Sequence, residues 1–203
     1  MPQRVPPGRA GRVWLRGRLE IAGRGAELLD RKRQVLLGEQ ARLRDELRQA
    51  RRAWRDVAAG AELWSRRAAV IDGARRMDVL ARNVRADAAL ELSWSNLMGA
   101  RLPSVTGVAI PGPLDLSALG GSSAAVLAAR AGAEATRAGA RCAAAERAER
   151  EIARELARAT RRLRALRKRL IPEYEAALQH IELALDESQR EQSSRVRWLS
   201  TRT

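Results

Sequence analysis

His180 is the only histidine of the 203-residue chain and Cys142 its only cysteine. Proton transfer near neutral pH and thiolate chemistry would each rest on a single residue. His180 stands between Leu178 and Ile181, beside an apolar helical row, which reads as a surface or flank position rather than a ligand or base. Cys142 lies among alanines with no second Cys or His nearby, so it reads as a small packing residue rather than a metal ligand. A single cysteine also excludes an internal disulfide and suits a reducing compartment. Gly120-Gly121-Ser122-Ser123 lacks the lysine and the preceding strand of a phosphate loop, and reads as a loop capping the next helix. Carboxylates are plentiful, but they stand four residues before an arginine on helix surfaces: Glu20–Arg24, Glu27–Arg31, Glu146–Arg150, Asp186–Arg190 and Glu191–Arg195. The expectation is no enzyme, no cofactor, no metal and no small-molecule substrate.

Charge is the other chemical resource. Lys and Arg number 39 against 24 acidic residues, a formal charge of +15, and Phe is absent. Such a balance suits nucleic acid, an anionic membrane or an acidic protein partner. Nucleic-acid binders concentrate charge in a patch and add stacking aromatics. Here arginine is spread over most helical turns and interleaved with glutamate. A solvated coiled coil that faces partners is the main reading, and a freestanding basic coiled coil that binds nucleic acid is its rival. No apolar run approaches the roughly 20 residues needed to cross a bilayer. The opening Met1-Pro2-Gln3-Arg4-Val5-Pro6 lacks a signal-peptide hydrophobic region, so a cytoplasmic location is expected.

Two long elements must carry these faces. Leu15, Ala22, Leu29, Leu36, Leu43, Ala50, Val57, Trp64 and Ile71 recur every seven residues. They interleave with Leu19, Ala26, Arg33, Gln40, Leu47, Trp54, Ala61 and Ala68, at spacings of four and three. This is a coiled-coil seam, interrupted only by Arg33 and Gln40, which either fix register or meet an outside partner. The 57 residues from Leu15 to Ile71 would span roughly 85 Å of helix, and the strict heptad predicts a left-handed supercoil. The stripe needs a partner of equal length. A second seam supplies it with Ile152, Leu156, Ala159, Leu163, Leu166, Leu170, Tyr174, Leu178, Ile181 and Leu185, then Val196 and Leu199. The successive fours from Leu166 to Leu178 read as a stutter that locally unwinds the supercoil, with a kink at Pro172. Joined in one chain, the helices run antiparallel. Matching the seams end to end gives facing residue numbers that sum to about 213, with Leu15 near Leu199, Leu29 near Leu185 and Leu43 near Leu170.

Between the helices the period changes. Residues 88–95 alternate, with Leu90, Leu92 and Trp94 on one side and Glu91, Ser93 and Ser95 on the other, a half-buried strand. Residues 96–99 and Pro103 read as turn material, 105–110 as a second strand, Pro111-Gly112-Pro113 as its stop and 114–123 as a Gly/Ser loop. Leu90, Leu92 and Trp94 are expected to pack on the helices and leave the turn free. The fold class is mainly α: a long antiparallel left-handed two-helix coiled coil with a small middle region containing a β-hairpin. Its parts are tails at 1–8 and 200–203, an N-terminal shaft helix at 9–75, a middle region at 76–133 and a C-terminal shaft helix at 134–199.

Four blocks in order resemble the D subunit of V-type and archaeal A-type rotary ATPases. Near the N-terminus stand Pro7-Gly8-Arg9, Leu15-Arg16, Arg18-Leu19, Ala22, Gly25, Leu28-Leu29, Lys32-Arg33 and Leu36. The middle carries Asn96, Met98-Gly99-Ala100 and Pro103, then Gly121-Ser122-Ser123-Ala124. The last block is Arg161-Arg162-Leu163-Arg164-Ala165-Leu166, Ile171-Pro172, Leu185-Asp186-Glu187 and Arg190-Glu191. Gly8, Asp30, Gln34 and Arg164 depart from the family pattern, where Thr, Lys, Asp and Asn stand. The resemblance implies a non-catalytic rotor shaft in a membrane-attached complex that makes or hydrolyses ATP. It implies as partners the A and B subunits of the catalytic hexamer, the F subunit, and the funnel-shaped C/d subunit of the membrane rotor. Contacts with partners are then expected at Arg9, Lys32, Arg33, Asn96, Met98, Gly99 and Pro103.

Overall fold

The computed structural model of the chain describes residues 5–82, 87–111 and 120–200. Helix α1 spans Gly8–Asp72 and α2 spans Ala74–Arg82; strands β1, Ala89–Leu97, and β2, Ala100–Ala109, follow. Helix α3, Ser123–Ala165, then runs into a five-residue π turn, Leu166–Leu170, and on into α4, Ile171–Ser200. Pro and β-branched residues are scarce through α1 and α3, and Ala, Leu, Arg and Glu favour helix throughout. The mainly helical antiparallel pairing with a central hairpin is therefore as the periodicity requires. The helix after the Gly/Ser segment starts at Ser123, where the turn residues give way to an alanine-rich run. Parts of the Pro111-Gly112-Pro113 stop and of the 114–123 loop lie outside the described residues, as do both chain ends.

The chain divides into two compact units, Met1–Val35 with Leu156–Thr203, and Leu36–Glu155. In the first, Leu15, Ala22 and Ala26 of α1 are buried, as are Ala159 and Leu163 of α3. Leu19, Leu29, Leu156, Leu166, Leu170, Leu178, Ile181 and Leu185 are half-buried. A two-helix seam leaves its flanks near water, so intermediate burial is its normal state. The Trp14 and Tyr174 rings meet edge to face, with centroids 6.2 Å apart. Gly11 admits a close approach: a Cβ there would stand 2.0 Å from the Pro6 carbonyl oxygen and 3.0 Å from Ile181 Cδ1.

The irregularity around Pro172 takes the form of the π turn. Three successive fours contain one residue more than the heptad's four-three-four, and a ring closed by an i→i−5 hydrogen bond absorbs one residue. The Ile171 N–H donates to the Leu166 carbonyl in that way. Pro172, which has no N–H to give, follows directly.

In the second unit Leu36, Leu43, Leu47, Ala148 and Ile152 form the buried seam. Farther along, a small-residue core of Ala68, Ala124, Ala125 and Ala128 closes with Leu80 of α2, and Trp64 and Met77 pack against it. Val57 is half-buried. Trp54, expected in the seam, is instead 42% exposed, and Ile71 is 65% exposed. The facing stretch of α3 explains Trp54: it is alanine- and glycine-rich, and the indole lies over Gly139, where a Cβ would come within 3.2 Å of Nε1. A ring that large does not fit between backbones spaced by alanine, and it slides to the flank.

The hairpin is a two-stranded antiparallel ribbon. Its register pairs Leu97 with Ala100, Trp94 with Pro103 and Ala89 with Ala109, with a bulge between Glu91 and Leu92. The turn is therefore only Met98-Gly99, with φ of 51° and 89°. Positive φ at both central residues is the signature of the tight turns whose twist suits a hairpin. Pro103, expected in the turn, lies within β2 instead. A two-stranded ribbon is all edge, where proline is tolerated.

Candidate functional site

A few polar contacts organise the far end of α1 and two points along the helix pairs. At the far end of α1, Gly73 (φ +79°) ends the helix and its N–H donates to the Ala69 carbonyl at 3.0 Å. Asp72 Oδ2 accepts the Ser122 hydroxyl at 2.6 Å and the Ser122 N–H at 3.3 Å. The same hydroxyl accepts the Ala125 N–H at 3.3 Å, so Ser122 caps α3 while it is tied to α1.

The two polar members of the α1 seam are each met by carboxylates. In the first unit Arg33 donates through Nε to Asp30 Oδ1 at 3.0 Å, and Arg167 of the π turn donates to Asp30 Oδ2 at 2.9 Å. Those bonds, Arg33 first, hold the Asp30 carboxyl below its ordinary pKa. In the second unit Gln40, only 7% exposed, donates to Glu149 Oε1 at 3.2 Å. Arg44 donates to the same oxygen at 3.1 Å. Both carboxylate clusters reach across the helix pair and so act on register.

That register differs from the end-to-end match. In the first unit Arg16 meets Glu182 and Asp30 meets Arg167. Leu29 lines one groove with Leu166 and Leu170, not with Leu185. In the second, Arg51 meets Glu146 and Leu43 shares a cleft with Ala144, Ala145 and Ala148, not with Leu170. Facing numbers sum to roughly 190–198 in each unit, two to three heptads from the expected 213 or so. A heptad seam matches itself after any whole number of repeats, and these polar contacts choose among the matches. The side chain of Leu199, expected near Leu15, lies outside the described residues.

Surface pairing follows the i, i+4 expectation in places. Glu20–Arg24 and Glu191–Arg195 stand at 3.2 and 3.9 Å. Arg190 lies at 3.8 Å from Glu187, in place of Asp186, and Glu146 at 3.4 Å from Arg51, in place of Arg150. Arg42 bonds both Glu39 and Glu46, which lowers the Glu39 pKa and raises that of Arg42.

The hairpin turns an unexpected side inward. Ala100 and Leu102 are 4% and 7% exposed, and Pro103 is buried. With Ser95, Leu102 and Pro103 line a cleft of about 440 Å³ against Leu43 of α1 and Ala148 of α3. Leu90, Leu92 and Trp94, expected to pack on the helices, are 49%, 40% and 50% exposed. Small residues bring the ribbon close to an alanine-rich helix, and the larger face stays outside. Arg101 stacks over Trp94, 5.1 Å from the ring centre. Asn96 Oδ1 accepts the Gly99 N–H at 3.1 Å, so the Asn96, Met98, Gly99 block works as turn chemistry. Of the other residues with expected partner contacts, Arg9 and Met98 are exposed, Lys32 and Arg33 half-buried. His180 is exposed and Cys142 buried.

Among the described residues no three His, Cys, Asp or Glu side chains gather in a metal-holding group. No described helix is long and apolar enough to cross a membrane. The described residues form paired helices with a side hairpin, and their polar contacts lie across the helix pairs. The family model for the ATP synthase D subunit matches residues 13–201. A V-type ATP synthase D subunit from Anaeromyxobacter is 30% identical over 96% of this chain and 92% of its own. One from Thermus thermophilus is 30% identical over 95% and 86%, and an A-type ATP synthase D subunit from Pyrococcus horikoshii 28% over 97% and 94%. The chain belongs to the ATP synthase D-subunit family.

Proposed function

We propose that this chain is the non-catalytic central shaft of a V/A-type rotary ATPase, carrying torque between the A/B hexamer and the ion-translocating ring of the membrane. The match to the D-subunit family over residues 13–201 is the observation that carries the reading. The helix pairing supports it mechanically. Two helices locked by a seam resist twisting better than one, and the polar clusters at Asp30 and Gln40 oppose sliding. The exposed arginine faces suit contacts that form and break at each step, because exposed ion pairs are worth only about 0–1 kcal/mol. Buried ion pairs at that surface would hold the rotor in one position.

On this reading the paired helices stand in the hexamer, and the middle region with its hairpin holds the F subunit. The funnel-shaped C/d subunit joins the shaft to the membrane ring. The shaft works in the cytoplasm, beside the membrane, without entering it. Affinity capture of the tagged chain from its own cells tests the proposal. Recovery of A, B and F subunits is the expected result. Recovery of nucleic acid instead, with a log affinity that falls steeply with log salt, overturns it.

A further inference from the structure

The π turn borders a groove in the first unit. Leu29, Ala165, Leu166 and Leu170 line it with Arg162, Arg169 and Glu173, around about 430 Å³. The wider ring of a π turn displaces the helix backbone locally. Gly25, opposite Leu166, has no side chain to fill the space. Three leucines of the seam, Leu29, Leu166 and Leu170, are thus only half-buried there. Helix α1 contributes Leu29 alone to the lining.

The charges around this apolar surface are uneven. Arg167, on the same turn, is taken by Asp30 at 2.9 Å. Arg162 and Arg169 are exposed, and neither holds an ion pair or side-chain hydrogen bond among the described residues. Glu173 is exposed and unpaired as well, so two free arginines face one free carboxylate. No other acidic residue follows Glu155 before it. A concave apolar surface with a few converging charged groups is the usual form of a small-molecule site, of about 300–1,000 Å³. The leucines suit an alkyl or aromatic body, and the arginine forks suit an oxyanion.

We propose that the groove at the π turn binds one small amphipathic anion, an apolar carboxylate or sulfonate. Its body lies on Leu29, Leu166 and Leu170, and Arg162 and Arg169 take its oxyanion. Bound there, it bridges α1 to the turn where the seam's frame slips, and clamps the pair. The inference does not depend on the shaft reading, because every residue it uses belongs to one unit of the free chain.

The test titrates the full chain with anilinonaphthalene sulfonate, an apolar anion that fluoresces on leaving water, and uses decanoate as competitor. One saturable site that decanoate empties is expected, and decanoate should raise the melting temperature. Arg162→Gln with Arg169→Gln should weaken binding at least fivefold and leave helicity unchanged. Glu173→Gln should tighten it, since the carboxylate repels the ligand's charge. Ala165→Trp, which fills the groove from its exposed edge, should abolish it. Binding that never saturates, or that the arginine and tryptophan variants leave as it was, overturns the proposal. So does a dye that anionic phospholipid vesicles displace and decanoate does not, because the arginines would then meet a membrane surface.

Discussion

The Ser122 hydroxyl lies 2.6 Å from Asp72 Oδ2 and also caps the first turn of α3. This one side chain fixes where the returning helix begins relative to the end of the outgoing one. Ser122→Ala removes both bonds and should cost about 1–2 kcal/mol. Urea unfolding measures it; a variant as stable as the unmodified chain would show that the tie is incidental.

The observed register makes a covalent prediction. Gly25 stands opposite Leu166, whose Cδ1 would lie 3.9 Å from a Cβ at position 25. In a chain whose native cysteine is replaced (Cys142→Ala), Gly25→Cys with Leu166→Cys should oxidise to an intramolecular disulfide. Leu29→Cys with Leu185→Cys, the pair from end-to-end matching, should not. The reverse pattern would place the seams two to three heptads away.

Leu43 and Leu47 are 4% and 7% exposed in the second unit. Truncating a buried leucine to alanine costs roughly 2–5 kcal/mol. The low end is expected for each here, because a two-helix seam lies near solvent and neighbours close part of the gap. A thermal melt of the double alanine variant that is no lower than that of the unmodified chain would sink the assignment.

Asp30 supplies a pH dependence. Its pKa is lowered in the folded chain by Arg33 and Arg167, so its stabilisation is fully present above its unfolded pKa. It is lost as pH falls through the lowered folded value. Asp30→Asn should therefore melt lower at pH 7, and the difference should shrink below the ordinary carboxylate range. A difference that is constant from pH 7 to strong acid would mean that the contacts do not depend on charge.

Residues 90–110 are outside both seams. Replacing them with a short Gly/Ser linker should leave helicity, read by circular dichroism, nearly unchanged. Binding of the F subunit or ATP turnover by the reconstituted complex should fall. If both persist, the hairpin is a spacer.

The helix pairing was legible because seven-residue spacing survives from Leu15 to Ala68 with only Arg33 and Gln40 against it. Register was not, because apolar repeats are interchangeable, and Asp30, Gln40 and Ser122 choose partners only in three dimensions. Asp30 shows this well. It departs from the family pattern in sequence, yet in the structure it neutralises an arginine of the seam and bridges to Arg167. The hairpin was legible as alternation, but alternation marks two faces without saying which is covered. Leu90, Leu92 and Trp94 are the larger residues, and the helices accept the side with Ala100 and Leu102. The exposed row of Ile21, Leu28 and Val35 has the same period as the seam beside it, so spacing alone does not separate the two.

A heptad repeat behaves like a reading frame. One residue inserted into α1 near Leu36 would rotate every later seam position by about 100° and turn its leucines to water. The π turn at Leu166–Leu170 is where this chain already carries such an insertion and recovers the frame within a turn. One residue removed beside Lys168 would return the spacing to the regular heptad, whereas one removed beside Leu43 would put the seam beyond it out of frame. Selection can lengthen or trim the end of the returning helix there while the seam upstream stays in frame.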